Sequence, residues 1–287
     1  MTILKSALRR AARGITALVV LLGVLLAAVP AANAQQGELD RILREKKVRV
    51  GWISSPPHMM KNPTSGKLEG YFVDAIRYIF KEVDVEPEFV ELNFATFVSA
   101  LQTKQIDLCI ASTLVTIKRA AVVDYTRPIL YFGYSAVVRK DETRFNSLAD
   151  FNREGIKIAV LLGGAAQQYV RTNFPKAQIV TLNTNDQTAP FVEAASGRVD
   201  VGINDAWSAR RFASVQPSVK DLFGDNPYNV QPTAWTVRKG NSEVLNFLNA
   251  SIETMMISGK FEELAREYDP SGRYKEVITL APFAAKK

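Results

Sequence analysis

The sequence predicts an α/β protein of two lobes, each lobe a mainly parallel sheet flanked by helices. Three observations carry this. Short β-branched runs alternate with helix-period segments in the order βαβαβ, and that order occurs twice in succession. The strand expected at 106–111 is apolar except for Asp107, the pattern of a strand covered on both faces. A helical tail follows the second unit, so the chain is expected to pass between the two units more than once.

In chain order, Lys47-Val48-Arg49-Val50-Gly51 reads as the first strand. A helix is expected over 70–83, where Tyr71, Ala75, Tyr78 and Ile79 fall at helical spacing. A strand at 88–92 follows, then a helix at 94–104 with Phe94, Phe97, Val98 and Leu101 on one face, then the buried strand at 106–111. The second unit opens with Ser147-Leu148-Ala149-Asp150, a capping-box-like start to a short helix. A strand at 156–161 ends at Gly163-Gly164, a helix at 165–173 is stopped by Pro175, and a strand covers 178–182. Thr184-Asn185-Asp186-Gln187 has the form of a second capping box and is expected to open a helix reaching Ser196. Gly197 ends that helix, and 199–203 is a strand. The tail adds a strand at 234–237, a long amphipathic helix at 241–257 stopped by Gly259, and a short helix at 261–268.

The start of the chain predicts export. Lys5, Arg9, Arg10 and Arg13 precede an apolar run over 15–29, broken only by Thr16 and Gly23, and Ala32-Asn33-Ala34 fits a signal-peptidase site. The run is shorter than the roughly 18 residues of a spanning helix. Residues 1–34 are therefore expected to be a signal peptide cleaved near Ala34, leaving roughly 250 residues, enough for two modest domains. Cleavage removes four of the positive charges behind the net +7, and no Lys/Arg block remains to suggest nucleic acid or a membrane surface. Cys109 is the single cysteine, which excludes an intrachain disulfide, and its apolar neighbours Leu108 and Ile110 place it in a core.

Ligands of parallel sheets bind beyond the carboxyl ends of the strands, so two facing lobes place a site in the cleft between them. Three groups of residues fall at such ends. Ala111-Ser112-Thr113 leads into Thr116-Ile117-Lys118-Arg119, a hydroxyl cap three residues before an arginine, which offers backbone N–H groups beside a guanidinium and suits a carboxylate. A surface arginine is the equally ordinary alternative. Leu162-Gly163-Gly164-Ala165 lets a ligand approach a helix N-terminus closely, or is a tight turn. Asn204-Asp205 offers a carboxylate to an ammonium, or an N-cap to the next helix. Cation and donors on one side with a carboxylate on the other would suit a zwitterion. Catalytic and metal-binding sets are not evident: His58 lies in the apolar Pro56-Pro57-His58-Met59-Met60, and no metal-ligand cluster, phosphate loop or cofactor motif appears.

These residues carry a resemblance. Gly66-Lys67-Leu68-Glu69-Gly70-Tyr71-Phe72-Val73-Asp74, Leu101-Gln102-Thr103-Lys104-Gln105-Ile106-Asp107-Leu108, Thr116 through Arg119 to Asp124-Tyr125-Thr126, Gly197-Arg198-Val199-Asp200 with Asp205, and Val237-Arg238-Lys239-Gly240 agree in order and spacing with one family. The chain resembles the periplasmic solute-binding proteins of polar amino-acid ABC transporters, family 3, over about 39–269. The resemblance implies the type II periplasmic-binding-protein fold with two hinge crossings, lobe one at 39–132 plus 231–287 and lobe two at 133–230. It implies a monomeric, non-enzymatic periplasmic protein that closes on an amino acid or amino-acid-like molecule and delivers it to an inner-membrane ABC permease, without cofactor, metal or nucleic acid.

Carried over by position, Arg119 would bind the ligand carboxylate with help from the backbone at Ser112 and Leu114, and Asp205 would bind the ammonium. Phe94 would pack on the ligand, Gly164 and Ala165 would donate from the second lobe, and Trp52, Ile53 and Pro56 would form cleft wall. Leu114 and Gly164 stand where the family usually has hydroxyls, Phe72 and Ile53 where acids occur, and Pro56 where an aromatic covers the ligand, which together imply a less polar pocket. A rival on the same scaffold is a cyclohexadienyl or arogenate dehydratase, in which Arg119 would hold a substrate carboxylate and Glu193 would act as acid.

Overall fold

The computed structural model describes residues 37–269. The expected signal peptide lies outside the described residues. The chain forms two compact units, Met1–Arg41 and Ile42–Lys287. The described part of the first is the opening of helix α1 (Glu38–Glu45), with Glu38 and Asp40 in its first turn where they complement the helix dipole. Everything below concerns the second unit.

The first lobe is built on β1 (Lys47–Trp52), which pairs in parallel with β4 (Glu86–Glu91) on one side and β5 (Leu108–Leu114) on the other. A two-stranded ribbon of β2 (Met60–Lys61) and β3 (Leu68–Glu69) precedes α2 (Tyr71–Lys81), whose Phe72, Ala75, Ile76, Ile79 and Phe80 form a buried face at helical spacing. Gly70, at φ 126°, has the carbonyl of His58 where a Cβ would stand, 2.3 Å away. Only glycine fits, and the close approach fixes the 55–59 loop against α2. Helix α3 (Phe97–Gln102) covers β5, with Phe97, Leu101, Ile106 and Cys109 in one buried cluster. Asp107 is fully buried but held by the Arg49 guanidinium and by the Arg49 backbone N–H at 2.8 Å, so a desolvated carboxylate ties β1 to β5 at satisfied geometry.

After α4 (Ile117–Ala120) and β6 (Val123–Tyr125), strand β7 (Leu130–Arg139) leaves this lobe, and β12 (Tyr228–Arg238) returns to it. The two crossing strands are antiparallel neighbours, with Leu130 opposite Thr233 and Tyr134 opposite Tyr228. Between them lies the second lobe: a 3-10 turn at Leu148–Phe151 carrying the expected capping box of Ser147 and Asp150, then β8 (Lys157–Leu161), α5 (Ala165–Asn173), β9 (Gln178–Leu182), α6 (Ala189–Ala195), β10 (Val201–Asp205), α7 (Ala206–Val215) and β11 (Val219–Asp221). β9, β8 and β10 are parallel, and β10 then pairs antiparallel with β7, placing Asp205 opposite Tyr134 and Asn204 opposite Ser135. The chain closes with α8 (Ser242–Ile257) and α9 (Lys260–Tyr268), separated by Gly259 at φ 75°; Phe261 sets its ring against Tyr71 and Phe72 of α2.

Two expectations need correction. Thr184 to Gln187 caps no helix. The Thr184 hydroxyl accepts from the Asp186 amide and Asp186 accepts from the Thr188 amide, so two successive side-chain turns delay the helix to Ala189 and leave Gln187 in a loop. The strand expected at 199–203 runs to Asp205, because its outer partner is the antiparallel β7, whose ladder continues past the parallel pairing with β8.

Candidate functional site

The carboxyl ends of β5, β8 and β10 converge, with part of β7, on one cavity of about 490 Å³ including its open mouth. It is lined by Ile53 and Phe94 from loops after β1 and β4, and by Ser112, Leu114 and Arg119 from the end of β5 and α4. Gly164 and Ala165 line it at the start of α5, and Asn204 and Asp205 at the end of β10. The residues predicted from strand ends are thus brought together.

Arg119 is held from both lobes. The Thr116 hydroxyl accepts its backbone N–H at 3.3 Å, which is the expected cap. Its guanidinium lies 5.8 and 5.4 Å from the ring centres of Phe94 and Phe97, within cation–π range. It donates to the Leu114 carbonyl at 3.4 Å and, across the cleft, to the Gly163 carbonyl. Burial lowers the affinity of this guanidinium for its proton, against the pull of Tyr125 and Tyr134. Asp205 does two jobs. It is the N-cap of α7, its Oδ1 accepting from the Ser208 amide at 2.8 Å, and it lines the cavity. Burial raises its carboxyl above the ordinary carboxylate range, opposed by that amide. Among the described residues lining the cavity, Arg119 and Asp205 are the only charged ones.

At the second-lobe helix start, the Gly164 N–H already donates to the Leu161 carbonyl at 3.1 Å and the Gly163 N–H to Gln167 Oε1 at 2.9 Å. Gly164 is therefore not the free donor expected of it. The first-turn amides of Ala165 and Ala166 are the groups without helical acceptors at this end. Trp52 and Pro56 do not line the cavity. Trp52, the last residue of β1, is buried outside the cavity lining, with the Lys61 ammonium 5.7 Å from its ring centre, and the cavity takes Ile53 from the loop that follows. Glu193 stands outside the cavity too, its carboxylate gripped by Arg198 at 2.6 and 2.7 Å. That removes it as a cavity acid.

Sequence reasoning missed four lining residues of consequence: Phe132, Tyr134, Gln187 and Ser55. Phe132 and Tyr134 alternate on β7 and so share one face, a period-2 signal available in Tyr131-Phe132-Gly133-Tyr134. Gln187 carried no local signal. It is buried, its Oε1 and its backbone carbonyl both accept from Asn204 Nδ2 at 2.9 Å, and its Nε2 has no partner among the described residues. Ser112 Oγ is likewise enclosed without a partner among the described residues.

Comparison with known proteins bears on the family and the fold. A family model described as bacterial extracellular solute-binding proteins, family 3, matches residues 48–270. An L-arginine-binding protein of Pseudomonas aeruginosa is 26% identical over 243 residues, 80% of this chain and 90% of that protein. The glutamine-binding protein of a Bacillus subtilis ABC transporter is 23% identical over 265 residues, 88% of this chain and 95% of that protein. Among solved structures, an ancestral amino-acid-binding protein that is a precursor of cyclohexadienyl dehydratase matches with a TM-score of 0.72 at 28% identity, over 81% of this chain and 99% of that one. An ancestral arginine-binding protein bound to arginine gives a TM-score of 0.69 at 29% identity, over 78% and 98%. The fold is the two-lobed type II periplasmic-binding-protein fold that the resemblance implied.

Proposed function

The chain belongs to the bacterial extracellular solute-binding proteins of family 3, and from that premise we propose that it captures a zwitterionic amino acid between its lobes and hands it to the inner-membrane permease of an ABC importer. It is a binding protein and not an enzyme. In this reading residues 1–34 are a leader removed on export to the periplasm, lobe one spans 39–132 plus 231–287, lobe two spans 133–230, and the protein acts as a monomer.

The observation that carries the proposal is the charge inventory of the cavity, one guanidinium and one carboxylate. Arg119, fixed by Phe94, Phe97 and the Leu114 carbonyl, receives the ligand carboxylate, with Ser112 Oγ and the first-turn amides of α5 at Ala165 and Ala166 as further donors. Asp205 keeps one oxygen on its cap and turns the other to the ligand ammonium. Burial disfavours its ionised form, and an ammonium placed beside it reverses that penalty, so each ligand charge offsets the desolvation of a protein charge. Ile53, Phe94 and Leu114 supply apolar wall.

Isothermal titration of the leaderless protein against the L-amino acids tests this directly. At least one binds, and Arg119→Ala and Asp205→Ala each weaken it by about thirtyfold or more, as expected for truncating one partner of a buried charge pair. No heat with any amino acid, or full affinity in both variants, would sink the zwitterion clamp.

A further inference from the structure

Gln187 is 6% exposed and lines the cavity between the lobes. Which end of its carboxamide is left unpaired is settled by its neighbour. The Gln187 backbone carbonyl accepts from Asn204 at 2.9 Å, and a backbone carbonyl cannot exchange its oxygen for a nitrogen, so the end of Asn204 that points there is the NH2. The same NH2 lies 2.9 Å from the Gln187 side chain, which must therefore present its oxygen. The amide is locked with Oε1 toward Asn204, and Nε2 is the end left over, enclosed and without a partner among the described residues. A buried donor left unpaired is costly, and sites built around such a donor discriminate strongly against ligands that cannot accept from it.

The rest of the lining bears on the same point. Among the described residues Arg119 and Asp205 account for all of its charge, and under the function proposed above they are matched by the ligand's own carboxylate and ammonium. A charged ligand side chain would have no counterion among the lining residues and would be desolvated against Ile53, Phe132 and Tyr134.

We propose that Gln187, oriented by Asn204, is the specificity-determining residue of this site, and that it selects an amino acid with an uncharged side chain carrying a hydrogen-bond acceptor. The inference rests on the zwitterion clamp of Arg119 and Asp205 and names the side-chain class that clamp holds. Asn204 is a positioning residue: it fixes the amide and leaves the ligand to Nε2.

The test is calorimetric, on leaderless protein, with pairs of similar shape that differ in the acceptor: O-methyl-L-serine against L-norvaline, L-asparagine against L-leucine, and L-glutamine against L-norleucine. L-arginine and L-glutamate serve as charged probes. In the tightest-binding pair the acceptor-bearing member binds at least about tenfold more tightly, and both charged probes bind at least about tenfold more weakly than that member. Gln187→Met, which keeps the length and deletes the donor, and Gln187→Leu each bring the ratio to within about twofold. Unfolding midpoints confirm that each variant is folded, and either one alone suffices. A pair ratio near one in the wild type, a ratio unmoved by the substitutions, or arginine or glutamate binding as tightly as the neutral ligands overturns the assignment while leaving amino-acid binding itself intact. Absence of binding by every amino acid overturns the zwitterion clamp and this inference with it.

Discussion

His58, the single histidine of the sequence, packs against the rings of Tyr71, Phe72 and Phe132 at centroid distances of 5.0, 5.3 and 5.5 Å, with Trp207 of the second lobe at 6.4 Å. Burial pushes its pKa down to about 4, against the opposing pull of the Ser55 carbonyl and Asp269. The unfolded chain takes up a proton on this ring near pH 6.5, and the folded protein does so only near pH 4, so the unfolded state binds more protons across that window. Stability from the neutral ring is complete above about pH 6.5 and is lost as the pH falls toward 4. Between about pH 7 and about pH 5 the loss is about 2 kcal/mol. Thermal unfolding at both pH values checks it: the fall in midpoint is smaller in His58→Asn than in the wild type, and an equal fall would show that the ring does not titrate late. Residue chemistry was legible in the sequence where a group announces itself at a strand end. Arg119 follows a hydroxyl cap, and Asp205 ends β10 and caps α7. Gln187 was not legible, because its surroundings read as a helix start, and what orients it is Asn204, seventeen residues along the chain.

At the level of elements, the contact between lobes depends on the turn after β8. Gly163 sits at φ 73°, and a Cβ there would stand 2.5 Å from the Phe94 carbonyl oxygen and 2.8 Å from the Ala95 Cα. Beside it, Asn93 donates to Asn183 at 3.3 Å and Asn185 donates to Glu91, each pair joining the two lobes. Gly163→Ala is therefore expected to be tolerated by the second lobe at the modest cost of a left-handed alanine, about 1–2 kcal/mol, but not by the closed arrangement. Ligand affinity falls by at least about tenfold while the unfolding midpoint drops only a few degrees. Small-angle scattering with saturating ligand checks the cause, showing a larger radius of gyration than the wild type; unchanged affinity and radius would remove the contact from the closing mechanism. The parallel strands around this turn were readable from apolar runs and helix spacing. The crossing strands were legible only in part: β7 was not read, and of β12 only the stretch at 234–237 was. Pro232 interrupts the pattern of β12 opposite Tyr131, and a proline argues against a strand interior. With β7 unread, and β12 read only over its last residues at 234–237, the antiparallel ladder that extends β10 to Asp205 was unread too, although it is what carries Asp205 to the cavity.

For the molecule as a whole, the decisive feature is that the lobes share strands. The path β4-β1-β5-β12-β7-β10-β8-β9 is continuous, and β7 pairs with β12 through Leu130 and Tyr134 and with β10 through Tyr134 to Val137. Neither lobe can unfold without stripping hydrogen bonds from a strand that the other lobe also uses. The second unit is therefore expected to unfold in a single cooperative transition, with calorimetric and van't Hoff enthalpies in agreement. Under the proposed function, a ligand clasped between Arg119 and Asp205 would touch both sides of that path and so shift the whole transition and not a part of it. At about 100 times its dissociation constant it adds roughly 2.7 kcal/mol, which for a chain of this size raises the midpoint by about 5–10 °C. Differential scanning calorimetry with and without the ligand found by titration decides between the alternatives. One peak that moves as a unit, and that moves by no more than about a third as far in Arg119→Ala at the same ligand concentration, is the expected result. Two peaks of which the ligand moves only one would mean that the lobes unfold independently and that the ligand is held by one of them.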